Sequence, residues 1–161
     1  MKKLAIVLLA GLFAFALAAC SSSASSSASS TSSNARISAM GFAQKYTAVS
    51  DSPINDIENV GSNAFKGSSY GYTMSMVETK TTLTIEIENN GNYEGMKAPF
   101  VDAVKVFDSS QADAAGQLFD ESVAQLDPAG EDVVTSIGDL QVFFSPQNDI
   151  EIGHVQIVKN Y

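Results

Sequence analysis

Tyr72-Thr-Met-Ser-Met-Val77 and, after a short break, Leu83-Thr-Ile-Glu-Ile-Glu88 are the residues on which the fold turns. In the first run Tyr72, Met74 and Met76 alternate with Thr73, Ser75 and Val77. In the second Leu83, Ile85 and Ile87 alternate with Thr84, Glu86 and Glu88. A period of two is that of a β-strand with one apolar and one wet face, because successive side chains point to opposite sides of the pleat. Glu78-Thr79-Lys80-Thr81 between the runs has the length of a hairpin turn. Asn89-Asn90-Gly91-Asn92 closes the second, since asparagine and glycine tolerate the backbone reversal.

The same pattern returns near the end of the chain. Val133 to Ile137, Leu140 to Phe144 and Ile150 to Val158 read as strands, with Ser145-Pro146-Gln147-Asn148-Asp149 as the loop of a second hairpin. Gly153 inside the last of them marks a bulge or a close packing contact. Between the two groups lies the best helix, 111–126. Ser109 or Ser110 caps it, Asp113 suits the dipole of its first turns, and Ala115, Leu118, Phe119, Ser122, Val123 and Leu126 share one side, until Pro128 and Gly130 stop it. Ala98 to Phe107, with Phe100, Val101, Val104, Val106 and Phe107, fits a strand or a helical turn equally, and Pro99 suits the start of either. Strands, a helix and strands again give an α+β class: a mainly antiparallel sheet with the 111–126 helix packed on one face. A β-sandwich is the runner-up, and that helix counts against it.

Upstream of the first strand two further helices are expected. Ile37, Met40, Ala43 and Tyr46 recur at helical spacing after Asn34 as cap. Ser52-Pro53 opens a second, with Ile54, Ile57, Val60 and Ala64 on one face and its end near Asn59 or Val60, before Gly61.

The first twenty residues carry a different message. Lys2 and Lys3 precede an apolar run, Leu4 to Leu17, which is the layout of a secretory signal and is too short to span a bilayer. It closes on Leu17-Ala18-Ala19-Cys20, which resembles the lipobox of bacterial lipoprotein precursors. The resemblance implies that Cys20 is lipidated and becomes the first residue of the mature chain. Cys20 is also the only cysteine, so it has no partner for an internal disulfide. Residues 21–33 are serine with an occasional alanine and one threonine, a composition that forms no core and acts as a flexible tether with a reach of about 20 Å. The organisation expected is therefore a signal over 1–19, lipidated Cys20 and its serine tether over 20–34, and one soluble domain over 35–161. The location implied is the extracytoplasmic face of a cell membrane, or the outer membrane in a Gram-negative host, since Ser21 permits that sorting.

Charge narrows the partners. Nine basic residues against eighteen acidic ones give −9, and losing Lys2 and Lys3 with the signal leaves seven against eighteen, or −11. Such a surface repels phosphate backbones and argues against nucleic acid. It suits solubility outside the cell, with the membrane reached through lipid on Cys20.

One catalytic pattern is present by letter. Gly67-Ser68-Ser69-Tyr70-Gly71 matches G-x-S-x-G, and Asp139 or Asp149 and then His154 follow in the order of α/β-hydrolases. The motif needs a strand before the serine and a helix after it, whereas here a strand-like alternation follows. His154 is the only histidine, so any imidazole acid–base scheme rests on it, and zinc chemistry lacks ligands. Asn89, Asn90, Asn92 and Glu94, and separately Asp127, Glu131 and Asp132, are oxygen-rich but lack EF-hand spacing. No phosphate-cradling glycine motif occurs. Tyr70, Tyr72 and Tyr93, and the Phe143-Phe144 pair with one ring on each strand face, could hold a ligand or fill the core. The reading is a lipid-anchored, non-enzymatic binding domain, without cofactor or metal, engaging an envelope protein or a small ligand. The alternatives are a small serine hydrolase using Ser69 and His154, and an inhibitor or immunity-type domain that caps a basic cleft.

Overall fold

A computed structural model describes residues 36–89, 93–147 and 152–161. The signal, Cys20 and the serine tether lie outside the described residues, as do Asn90 to Asn92 and Asn148 to Glu151. Helix α1 (Ala39–Val49) is followed by four strands: β1 (Asn55–Gly61), β2 (Ala64–Ser69), β3 (Tyr72–Glu78) and β4 (Thr82–Glu88). Helices α2 (Glu94–Phe107) and α3 (Ala112–Val123) come next, and β5 (Val133–Ile137), β6 (Leu140–Ser145) and β7 (His154–Asn160) complete the domain. All seven strands pair antiparallel in one sheet, ordered β1-β2-β3-β4-β7-β6-β5. This is the α+β architecture expected.

The alternation read from sequence decides which side of the sheet is covered. Tyr72, Met74 and Met76 of β3, Leu83, Ile85 and Ile87 of β4, Val155 and Ile157 of β7, and Val142 and Phe144 of β6 are buried on a single face. Three helices cover it: α1 lies against β2 and β3, α2 crosses over β4, and α3 meets β5. Phe100 of α2, Phe119 of α3 and Phe144 of β6 form an aromatic knot with ring centroids 5.5–5.7 Å apart, the range for tilted and edge-on pairs. Phe42 of α1 meets Phe107 of α2 at 5.3 Å and ties the first helix to the same layer.

Several expectations need correction. The segment after Ser52-Pro53 is strand β1 and not a helix. Its composition, Asn-Asp-Ile-Glu-Asn-Val-Gly, is poor in helix formers, Asp56 takes a φ of 50°, and β2 offers a ladder for it to pair with. Ala98 to Phe107 is helix, and α2 starts earlier, at Glu94. Met96, Phe100, Ala103 and Val104 recur at helical spacing on its buried side, so burial outweighs the backbone bond that Pro99 gives up inside the helix. The cap of α1 is Ser38, whose hydroxyl accepts from the Gly41 N–H at 3.0 Å, four residues beyond Asn34. The principal helix spans Ala112–Val123 instead of 111–126. Asp108 initiates it through a 3-10 turn, Ser109–Gln111, by accepting from the Ser110 N–H at 2.9 Å and its hydroxyl at 2.7 Å. Those bonds hold the Asp108 carboxyl below its ordinary range. The last strand begins at His154, with Gly153 immediately before it in tight contact with Tyr93.

Candidate functional site

Cross-strand register assembles the exposed face of the sheet row by row, because directly paired residues share a face. The first row runs Thr73, Glu88, His154, Ser145 across β3, β4, β7 and β6. The second runs Ser75, Glu86, Gln156, Phe143 and reaches Val134 on β5. A third carries Val77, Thr84, Val158, Gln141 and Ser136. Among the described residues no helix covers this face. It presents hydroxyls, an imidazole, two carboxylates and two amides around a half-buried phenyl ring, with Lys66 as a cation on the neighbouring β2.

His154 is held within that surface. Its Nε2 lies 3.1 Å from the Ser145 hydroxyl and its Nδ1 3.4 Å from the Ile152 carbonyl, while the side chain of Glu88 stands on the adjacent strand. Ser69 is elsewhere. It pairs with Tyr72, on the helix-covered face, whereas His154 belongs to the exposed one, and three strand spacings of about 4.8 Å each separate their strands. Asp139 sits at the opposite end of β7, ion-paired with Lys159, and Asp149 lies outside the described residues. The structure thus pairs the sole histidine with Ser145 and does not bring Ser69, Asp139 and His154 together. Gly67, Ser68 and Ser69 belong to β2 itself, and Tyr70-Gly71 forms the turn into β3, with Gly71 at the left-handed φ of 92° that the reversal requires.

A concavity lies on the helix side, between the α1–β1 connection and α2. It has a volume of about 450 Å³, with Asp51 and Ser52 on one wall and Glu94, Lys97, Asp102 and Lys105 on the other over Ala98, Pro99 and Val101. Both lysines are already engaged: Lys105 Nζ reaches Asp102 Oδ1 at 2.8 Å and Lys97 Nζ reaches Asp120 Oδ2 at 2.6 Å. Behind this wall the Tyr46 and Tyr72 hydroxyls meet at 2.8 Å, and Tyr72 donates to the Ser52 carbonyl. Burial pushes both phenols above their ordinary range, so they stay neutral donors.

The aromatic residues divide between core and surface. Tyr72 is buried in the network just described, Tyr93 donates to the Ser145 carbonyl, Phe144 lies in the core, and Phe143 is on the exposed face while Tyr70 stands fully in solvent. Among the described residues no three of histidine, cysteine, aspartate and glutamate gather where they could hold a metal, and no helix is long and apolar enough to cross a membrane. Ser145 and the Asp102–Lys105 pair were not singled out by the sequence. The only signal for the latter was a charged residue, Asp102, set three before a lysine within an apolar run.

No family model, curated protein or solved structure matches this chain.

Proposed function

We propose that the chain is an exported lipoprotein, anchored through Cys20 on the extracytoplasmic side of a bacterial membrane. In this reading its folded part is a non-enzymatic binding domain that engages another envelope protein. The lipobox resemblance supports the anchor. The observation that carries the binding role is the one-sided sheet: seven strands wide, covered by helices on one face, and presenting on the other a mixed surface of Thr73, Ser75, Glu86, Glu88, Gln156 and Phe143. Polar groups around an aromatic centre are the make-up of a protein-binding patch, where the ring supplies area and the rim supplies specificity.

A photo-crosslinking amino acid placed at Ser75 or Gln156 of the full chain tests this in cells. The expected result is one discrete adduct from both positions and none from Glu121 on α3. Adducts absent from the sheet, or equally abundant from Glu121, would refute it. Mass spectrometry of the mature amino terminus tests the anchor separately.

A further inference from the structure

The two edges of the sheet are not alike. The β1 edge is guarded against further pairing: its register with β2 shifts twice, Asp56 is in the left-handed region, and Asp56 and Glu58 add charge. The β5 edge has none of these devices. Val133-Val134-Thr135-Ser136-Ile137 pairs with β6 residue for residue without a shift, contains neither charge nor proline, and leaves Val134 55% exposed. A two-residue turn, Gly138-Asp139, closes this hairpin with Gly138 at a φ of 57°, as the first position of a type II′ turn requires. Ile137 and Leu140 are then the closing hydrogen-bonded pair, the exchange of bonds recurs at Thr135 and Val133, and Val134 and Ser136 turn their N–H and C=O groups outward. Among the described residues no hydrogen bond reaches that outer side.

We infer that the β5 edge takes an extended segment of a partner protein as an eighth strand, its β-branched middle flanked by basic residues. The inference rests on the binding-domain reading above and names how the partner docks. Charge selects the occupant. Exposed Glu131 and Asp132 precede the uncharged strand, and Asp139, 65% exposed although paired with Lys159, follows it, so a chain with lysine or arginine at its ends meets complementary charge. A second copy is disfavoured: antiparallel pairing about Thr135 would set Glu131 against the other copy's Asp139 twice, in a chain already at −9.

Amide hydrogen exchange on the full chain in mild detergent, with a blocked Lys-Thr-Val-Thr-Val-Thr-Lys peptide as probe, tests this. The peptide should slow exchange of the Val134 and Ser136 amides by about tenfold or more and leave β1 unchanged. Its Glu-flanked counterpart should have no effect at the same concentration. Ser136→Pro, which removes an outward donor at an edge position that tolerates proline, should keep the melting temperature and abolish the protection. If that variant does not fold, Val134→Lys should weaken the Lys-flanked peptide at least fivefold. No slowing at β5, equal slowing by both peptides, or protection that rises with protein concentration alone would each overturn the proposal, the last in favour of a second copy. Crosslinks from Ser75 and Gln156 together with an unresponsive β5 would defeat this inference and leave the binding reading standing; loss of both results would defeat both.

Discussion

Gly153 is a glycine whose replacement should have opposite signs in two backgrounds. Its φ is not in the left-handed region, so backbone freedom is not why it is glycine; the reason is proximity. A Cβ at this position would stand 2.7 Å from Cζ and 3.1 Å from Cε2 of Tyr93, whose hydroxyl donates to the Ser145 carbonyl. In Gly153→Ala the ring must either stay under strain or swing away. Overpacking of this kind costs about 1–3 kcal/mol, and a displaced hydroxyl forfeits about 1 kcal/mol of net hydrogen bond. Against that, alanine narrows the unfolded ensemble by about 0.4–1 kcal/mol in the stabilising direction. The net expectation is a loss of about 1–2 kcal/mol, which for a domain of this size lowers Tm by about 4–10 °C. The chain has no tryptophan, so urea and thermal unfolding are best followed by far-ultraviolet circular dichroism. In a Tyr93→Ala background the obstacle is gone, and Gly153→Ala should become neutral to mildly stabilising, a coupling of at least about 1 kcal/mol. Tyr93→Phe keeps the ring and should keep most of the penalty. Equal cost of Gly153→Ala with and without the Tyr93 ring would refute the reasoning.

Four further outcomes follow. Because burial raises the Tyr46 and Tyr72 hydroxyls above their unfolded values, their contribution is fully present below pH 10 and is lost as pH rises above it. Stability should fall by up to about 1.4 kcal/mol per pH unit for each phenol, and Tyr46→Phe should flatten that alkaline slope in denaturant titrations. Lys105→Ala should cost about 1–3 kcal/mol in equilibrium unfolding, because it strips the partner from an Asp102 side chain only 12% exposed. Lys97→Ala, whose partner Asp120 is 62% exposed, should cost about 1 kcal/mol at most. In cells, Cys20→Ser should abolish incorporation of labelled fatty acid and leave the signal uncleaved, whereas an unmodified mature chain beginning at any other residue would contradict the anchor.

What the sequence disclosed, and what it withheld, follows from the range of the interactions. β3 and β4 were readable because their alternation is local and unbroken, and β5 and β6 because a two-residue turn separates two apolar runs. α3 was readable because its apolar stripe spans three turns. β1 was not: Ile54, Ile57 and Val60 recur at a helical interval, yet the ladder of β2 and the left-handed Asp56 decide the outcome, and neither is local. α2 was ambiguous since its apolar residues are dense enough to satisfy either period until the sheet beneath chooses one face. The site was harder still. His154 meeting Ser145, and Tyr46 meeting Tyr72 across 26 positions of sequence, depend on register and on helix placement, for which no spacing rule exists.

Dimensions explain why one face of this sheet stays open. Seven strands at about 4.8 Å spacing span roughly 29 Å, and three helices about 10 Å wide laid side by side span roughly the same. The described residues form three α-helices, arranged in order across β2 and β3, β4, and β5, and this layer is therefore full. Nothing among the described residues remains for the other side. That side carries threonine, serine, glutamate and glutamine at the outward positions of β3, β4 and β7, the polar half of the alternation whose inward half is core. Toward β5 that coating thins, to Phe143 and then Val134, beside the one edge without bulge or charge. A protein that protects β1 with charge and irregularity while leaving β5 regular and uncharged has an asymmetry that folding alone does not require, and strand addition by a partner gives it a physical reason.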